Sequence, residues 1–418
     1  MSLENEIASL SRRAKKAAET VYAAPSLVKN RVLHKAAALL IAERKMIATA
    51  NARDIVAARK AGLSGTMVDR LTLTDTRINT MVKGLREVAA QEDPVGMQYE
   101  ARTRPNGLHI AKVRVPIGVV LIIYESRPNV TIDSAALCLK AGNAVILRGG
   151  KEAFWSNNAL VTIFRKALRS AGVATDTVQL VQTTDRAAIP LLVRQTECID
   201  LAIPRGGEHL IRTVMENARI PVLKHYKGVC NVYIDRYADP AMAQRIAVNA
   251  KVQRPGVCNA AETLLLDAKL DKKTSARILK ALMEKGVTLK GCARSRSLVP
   301  GMAVAREADY YTEFLDLIMN VKVVDSVQGA IDHITKYSSH HTDAIVTRNK
   351  KRAQEFLARV DSSSVMWNAS TRFSDGGEYG LGAEIGISTD KIHARGPMGA
   401  YDLTTYKWVV VGKGHVRK

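Results

Sequence analysis

The hydrophobic rhythm of the chain changes near residue 94. Before it, apolar residues recur every three or four positions, as in "SLVKNRVLHKAAALLIAERKMIATAN" (26–51), the spacing of helices that bury one stripe. Thr74, in "TLTDTRINTMVKGLREVAA", stands where an N-cap belongs. After Pro94–Gly96, "GLHIAKVRV" (107–115) alternates apolar and polar residues and predicts an exposed strand. Beyond it, short apolar runs alternate with helical stretches. "GVVLIIY" (118–124), "NAVILRGG" (143–150), "DTVQLVQ" (176–182), "CIDLAIPRGG" (198–207), "IPVLKH" (220–225) and "VCNVYID" (229–235) read as strands. "VTIDSAALCLKAG", "EAFWSNNALVTIFRKALRSAG", "RAAIPLLVRQ" and "EHLIRTVMENA" read as the helices between them. Such a series predicts βαβ units, a mostly parallel sheet covered on both faces, and ligands at the carboxyl ends of its strands.

A second α/β block begins near Val232, with the helices "DPAMAQRIAVNAKVQ" and "TSARILKALMEKG" and the strands "AETLLLD" and "IMNVKVV", followed by the segment "VQGAIDHITKY". The tail "TTYKWVVVGKG" is strand-like and would join "GLHIAKVRV" in a small sheet outside both blocks. A ribbon of that kind needs something to pack on, often another subunit.

The length of 418 residues implies two or three domains, and 47% apolar with 24% charged residues is ordinary globular composition. No apolar run reaches bilayer length. The charged start "MSLENEIASLSRRAKKAAET" lacks the apolar stretch of a secretion signal, so a cytoplasmic protein without a membrane partner is expected. The net charge of +22 attracts polyanions. The basic residues are nevertheless scattered, aromatics are only 5%, and no helix-turn-helix, zinc-finger or RNA-recognition signature occurs. Nucleic acid is therefore not expected as a partner; anionic small molecules and a merely solvated surface both stay open.

Cysteines fall at 138, 198, 230, 258 and 292 with no CxxC pair, and the nine histidines show no metal-ligand spacing. Neither a disulfide framework nor a metal site is expected. Cys138 and Cys198 lie in apolar runs and Cys230 borders a strand, so all three read as core. Cys258 differs. In "VQRPGVCNAAETLLL" (252–266) it sits in a polar, proline- and glycine-broken loop beside Arg254, just ahead of a strand. An exposed thiol near a cation is a candidate nucleophile; an inert loop cysteine is the competing reading.

Two glycine patterns fail as motifs: "RGGKEA" (148–153) lacks the first glycine and the Ser or Thr of a phosphate loop, and "GLGAEIG" (380–386) has its third glycine one place late. Position carries more weight. Arg148–Lys151 and Arg205–Gly207 each lie where a strand ends and a helix begins, and free N–H groups there attract phosphates. Arg148 and Lys151 favour a phosphorylated ribose over a bare diol; two ordinary βα turns are the alternative.

"YESRPNVTIDSAALCLKAGNAVILRGGKEA", "IPRGG", "VQRPGVCNAAETLL", "NVKVVDSVQGAIDHITKYSSHHTDAIVT", "VDSSSVMWNASTRFSDGGEYGLGAE" and "HARGPMG" occur in that order from about residue 94 to the C-terminus. This set resembles the aldehyde dehydrogenase superfamily. The resemblance implies an α/β fold with a Rossmann-type NADP-binding domain (1–102 and 118–231) and a second α/β catalytic domain (232–396). Oligomerisation strands (103–117 and 397–418) would complete it, in a homo-oligomer, dimer or tetramer. By the same resemblance Cys258 is the nucleophile, and Asn129 binds the developing oxyanion with the cysteine N–H. Arg148 falls where relatives carry a lysine that handles the adenosine ribose of NADPH, with Gly150 and Lys151 of the same loop as further cofactor-binding candidates; Gly206 and Gly207 lie over the pyrophosphate, and Glu313 holds the nicotinamide ribose. Arg254 and Arg395 are candidates for the phosphate or carboxylate of the substrate, since planar guanidinium suits both.

Aldehyde-oxidising relatives keep a glutamate base in an "ELGGK"-like segment; the corresponding "KHYKGVCNV" carries His225 there. A reductase of an acyl phosphate has no use for a water-activating carboxylate. The implied reaction is thiolate attack on L-glutamate 5-phosphate, loss of phosphate, and hydride reduction of the thioester to L-glutamate 5-semialdehyde, a step of proline biosynthesis. An oxidising aldehyde dehydrogenase is the rival within the superfamily. Three side readings stay open: Asn129 as a helix N-cap, Asn231 where reducing relatives more often carry histidine, and His341 as a packing or capping residue.

Overall fold

Val119–Tyr124 (β3) is apolar and buried at every position, as a strand covered on both faces must be. It sits inside a four-stranded parallel sheet with Ala144–Arg148 (β4), Val178–Leu180 (β5) and Leu201–Arg205 (β6), in the order β5-β4-β3-β6. The helix Leu3–Tyr22 lays Ile7, Leu10 and Ala14 on Val119, Leu121 and Ile146 of this sheet. The expected N-terminal helices form Ser26–Ala42, Arg44–Lys60, Gly65–Leu71 and Asp75–Ala90, the last capped by the Thr74 hydroxyl accepting from the Arg77 N–H. The computed structural model describes residues 2–417; Met1 and Lys418, the outer ends of the expected domains, lie outside them. Among the described residues no helix is long and apolar enough to cross a membrane.

The chain divides into two units, Met1–Lys224 with Gly380–Gly386 and Met398–Lys418, and His225–Tyr379 with Ile387–Pro397. The first unit also holds a three-stranded antiparallel sheet in which His109–Pro116 (β2) lies between Gln98–Thr103 (β1) and Thr404–Val411. β1 corrects the expected domain span 1–102. Its sequence, QYEART, has no buried position, so hydrogen bonds to β2 rather than apolar alternation make it a strand. "IPVLKH" is not a strand either. Only Val222 bridges to Ala202, and Pro221 has no N–H for a ladder.

The second unit is built on seven strands: Cys230–Ile234 (β7), Ala261–Asp267 (β8), Thr288–Gly291 (β9), Ala303–Val304 (β10), Ile318–Val324 (β11), Thr342–Val346 (β12) and Ser364–Trp367 (β13). Their order is β10-β9-β11-β8-β7-β12-β13, every pairing parallel. The expected boundary at 231/232 therefore falls earlier, at 224/225, because β7 hydrogen-bonds between β8 and β12. Residues 380–386, expected in the catalytic domain, belong to the first unit. Pro240–Val252 starts with proline in its first turn and the Asp239 carboxylate accepting from the Met242 N–H, the pairing that starts helices firmly. "VQGAIDHITKY" is the helix Val327–Tyr337, capped by Ser326.

Candidate active site

Cys258 lies in the loop between the helix Pro240–Val252 and β8, half-buried. Its backbone is clamped from two sides. The Cys230 thiol donates to the Cys258 carbonyl at 3.2 Å, and Asn259 Nδ2 donates to the Ser374 carbonyl at 2.8 Å. Gly228 explains how closely the start of β7 approaches: a Cβ there would stand 1.9 Å from the Cys258 carbonyl oxygen. A polar loop thus holds the thiol partly open while fixing the chain that carries it.

Two histidines meet this thiol. His225, Cys258 and His341 place one nitrogen or sulfur each within 4.8 Å of one another. His225 Nδ1 is 2.8 Å from the Ile387 carbonyl, and its ring meets that of His341 edge-on at 5.4 Å. His341 is fully buried at the start of β12, its Nδ1 2.9 Å from Thr342 Oγ1. Sequence spacing predicts no metal-ligand set, and His341 reads there as a packing or capping residue. The fold joins residues from three separate strand starts.

Glu313 is brought to the same place. Its carboxyl is raised by burial and accepts the Gly228 N–H, with His341 and Lys227 as nearby charges. Arg254 is exposed. Beside it stands Arg372, which sequence reading missed: its Nε donates to Gln253 Oε1 at 2.8 Å. Burial lowers the Arg372 guanidinium, and Arg254 adds to this, while Asp375 and Cys258 oppose it. The loop at 253–259 is thereby flanked by two guanidinium groups. Arg395, by contrast, has its fork on Asp361, with Nη1 at 2.6 Å from the carboxylate and Nη2 at 3.0 Å from the carbonyl. Asn231 has a defined partner: its N–H and Nδ2 donate to Asp343 Oδ1 at 2.9 and 2.7 Å. Cys138 and Cys230 are buried, and Cys198 packs at the edge of the first unit's core.

Cys258, Gly228 and His341 stand at the amino ends of β8, β7 and β12. The carboxyl edge of that sheet is closed by buried acids. Asp235 and Asp267 share Arg352 at 2.6 and 3.1 Å, Tyr233 donates to Asp267 at 2.7 Å, and Thr347 donates to Asp235 at 2.7 Å.

In the first unit the carboxyl edge is the open one. The strand order reverses between β3 and β6, where ligands of doubly wound sheets bind. Glu125, after β3, spans this point: its Oε2 accepts from the Gly207 N–H at 3.0 Å. Gly206 and Gly207 are exposed, and Gly207 caps the helix Glu208–Asn217. Gly149 is tightly bound by its surroundings, since a Cβ would stand 2.2 Å from Asn157 Nδ2. Gly150 leads into the short 3-10 turn Lys151–Ala153, with Lys151 exposed. Arg148 is 6% exposed. It donates to the carbonyls of Gly149, Thr184 and Asp185, each at 3.2 Å. Lys151, not Arg148, is the accessible cation of this loop.

Asn129 is the first residue of the helix Asn129–Lys140, whose N-cap is Pro128, so the capping alternative is not realised. Its Nδ2 donates to Asp133 Oδ2 at 2.9 Å. Burial pushes the Asp133 carboxyl up to about 6, against the opposing pull of Asn129 and Arg205. Asp133 fixes the Asn129 amide and was not foreseen, although a separation of four residues places both on one helix face.

Residues 2–292 match the aldehyde dehydrogenase family. Over all 418 residues, and the whole of each relative, the chain is 52% identical to gamma-glutamyl phosphate reductase of Moorella thermoacetica and 50% identical to that of Thermodesulfovibrio yellowstonii. The crystal structure of gamma-glutamyl phosphate reductase from Thermotoga maritima superposes with a TM-score of 0.96 at 44% identity, covering 99% of this chain and 100% of that one. An acetylating aldehyde dehydrogenase from Geobacillus thermoglucosidasius shares the fold, with a TM-score of 0.71 at 16% identity over 100% of this chain and 98% of that one.

Proposed function

The chain belongs to the aldehyde dehydrogenase family, and on that premise we propose how it works. It reduces gamma-glutamyl phosphate to glutamate 5-semialdehyde, the reaction of the relatives it matches end to end, in proline biosynthesis. The observation that carries the mechanism is a half-buried thiol on a clamped backbone, with histidine where an oxidising enzyme needs a carboxylate. Cys258 attacks the acyl carbon of L-glutamate 5-phosphate; the C–O bond to phosphate breaks and a thioester forms. NADPH, when bound, supplies the hydride that reduces this thioester. The carbon–sulfur bond then breaks to release the aldehyde, and the sulfur regains its proton. Asn129 donates to the negative oxygen at both tetrahedral stages, its amide oriented by Asp133.

Arg254 and Arg372 are the cations at the loop and suit the phosphate of the substrate. With its fork on Asp361, Arg395 is the weaker candidate for a substrate anion. A dinucleotide fits the first unit in that exposed Gly206, Gly207 and Lys151 line carboxyl strand ends at the reversal of strand order. Lys151 takes the ribose phosphate there, and Arg148 frames the loop through backbone carbonyls. In the second unit Glu313 holds the nicotinamide ribose. Exposed Tyr406, Trp408, Val410 and Val411 on the edge strand Thr404–Val411 support assembly with further copies. Five free cysteines accord with a reducing, cytoplasmic setting.

The test is the coupled reverse assay with glutamate semialdehyde, NADP⁺ and phosphate. Turnover requires phosphate, and Cys258→Ser loses on the order of 10⁴-fold or more while remaining folded. Phosphate-independent oxidation would contradict the reading.

A further inference from the structure

We propose that Cys258, His225 and His341 form a binding site for a thiophilic divalent cation, zinc above all, whose occupancy reversibly silences the thiol. The three donor atoms already lie within 4.8 Å of one another. One thiolate and two imidazoles make a zinc-type donor set with a fourth position open, and the sulfur selects against magnesium and calcium. Ligands about 2.0–2.3 Å from a shared ion stand roughly 3.5 Å apart, so small rotations of the two half-buried side chains complete the set.

The surroundings prepare the histidines for this role. A carbonyl oxygen only accepts, so the 2.8 Å contact with Ile387 places the proton of His225 on Nδ1 and leaves the lone pair on Nε2. The His341 ring is held in the interior by Nδ1 against Thr342 Oγ1. Glu313, within electrostatic range of His341, adds negative charge to a neighbourhood that Lys227, Arg254 and Arg372 make basic. Cys258 and His225 are half-buried, which leaves an approach for the ion.

Binding releases one proton from the thiol and forms a sulfur–metal bond. The sulfur electron pair that would attack an acyl carbon is then engaged. A chelator removes the ion, and the thiol is restored without oxidation or reduction. The silencing rests on Cys258 being the nucleophile; the binding does not.

Metal-free full-length protein is titrated with Co²⁺ alone and then with Zn²⁺. The expected result is a thiolate-to-cobalt charge-transfer band that saturates at one equivalent and is displaced by Zn²⁺. Zn²⁺ abolishes turnover and EDTA restores it. Cys258→Ser loses the band. His225→Gln and His341→Gln each weaken Co²⁺ binding at least about tenfold, since losing a ligand should cost no less than losing an outer partner. In both variants Cys258 still reacts with iodoacetamide while the buried Cys138 and Cys230 stay protected, which separates a lost ligand from a lost fold. The absence of the band, or its survival in both histidine variants, would overturn the site. If the band behaves as expected but Cys258→Ser keeps its turnover, the silencing and the nucleophile assignment fall while the binding site stands. If turnover requires Cys258 and no band forms, the site and the silencing fall while the nucleophile assignment stands.

Discussion

At the carboxyl ends of β3, β4 and β6 the chain presents backbone N–H groups and glycines; at the amino ends of β7, β8 and β12 it presents side chains. The difference follows from what each edge has to offer. Carboxyl ends of parallel strands lead into helix N-termini, whose free amides favour anions such as phosphate. A nucleophile needs its own side chain, and partners for it, held at fixed positions. Strand starts that follow clamped loops, as at Gly228–Cys230 and Cys258–Ala261, supply these. At the carboxyl edge of the second sheet Asp235 and Asp267 are instead engaged with their shared partner, Arg352.

The sharpest way to break this comparison is to attack the closed edge. Arg352→Met takes the cation from the buried Asp235 carboxylate, while Asp267 keeps Arg236 at 3.0 Å, and should lower stability by about 3–5 kcal/mol. Turnover per folded molecule should stay within about twofold of wild type, on the order of 0.4 kcal/mol. Chemical denaturation beside an active-site-normalised assay checks both, and a large loss of turnover would show that edge to be functional. Next in size is Asn129→Ala, which should cost roughly 10²–10³-fold in kcat through the lost oxyanion donor, with substrate KM little changed. Steady-state kinetics decides it.

Asp133 gives a smaller, pH-dependent effect. Ionised above about 6, it accepts a stronger, charge-assisted bond from Asn129 than its neutral form does. Activity should therefore fall as the pH drops through about 6, and Asp133→Asn should remove that inflection from the kcat/KM profile. Because its folded value lies above its unfolded one, this carboxyl favours the folded state below about 4. That contribution disappears as the pH rises through about 6. The smallest effect concerns the open edge. Glu125→Gln removes a negative charge from the Gly207 amide and should lower the KM for NADPH by about twofold to fivefold, the range of a charge at a helix N-terminus. A raised KM would mean that Glu125 organises the loop rather than competing with the cofactor.

Much of the first unit was legible because its signals are local. β3, β4 and β6 are contiguous apolar runs, and Thr74 caps its helix as read. Cys258 and Asn129 are candidates because of the motifs that surround them in the chain. The misses share a physical cause: their meaning depends on residues far away. His341 comes near Cys258 only when β12 pairs beside β7, and Arg372 reaches the loop only by bonding to Gln253. Gly228 matters through a carbonyl thirty residues on. β1 is held by hydrogen bonds that a polar sequence does not advertise. Asp133 could have been found from its helical spacing to Asn129.

The most direct measurement is a single turnover of glutamate semialdehyde with NADP⁺ in the absence of phosphate, quenched in acid and read by mass spectrometry of the Cys258 peptide. The account predicts a stoichiometric burst of NADPH and a glutamyl adduct on that cysteine, discharged when phosphate is added. Continuous turnover without phosphate, or an undiminished burst in Cys258→Ser, would contradict it.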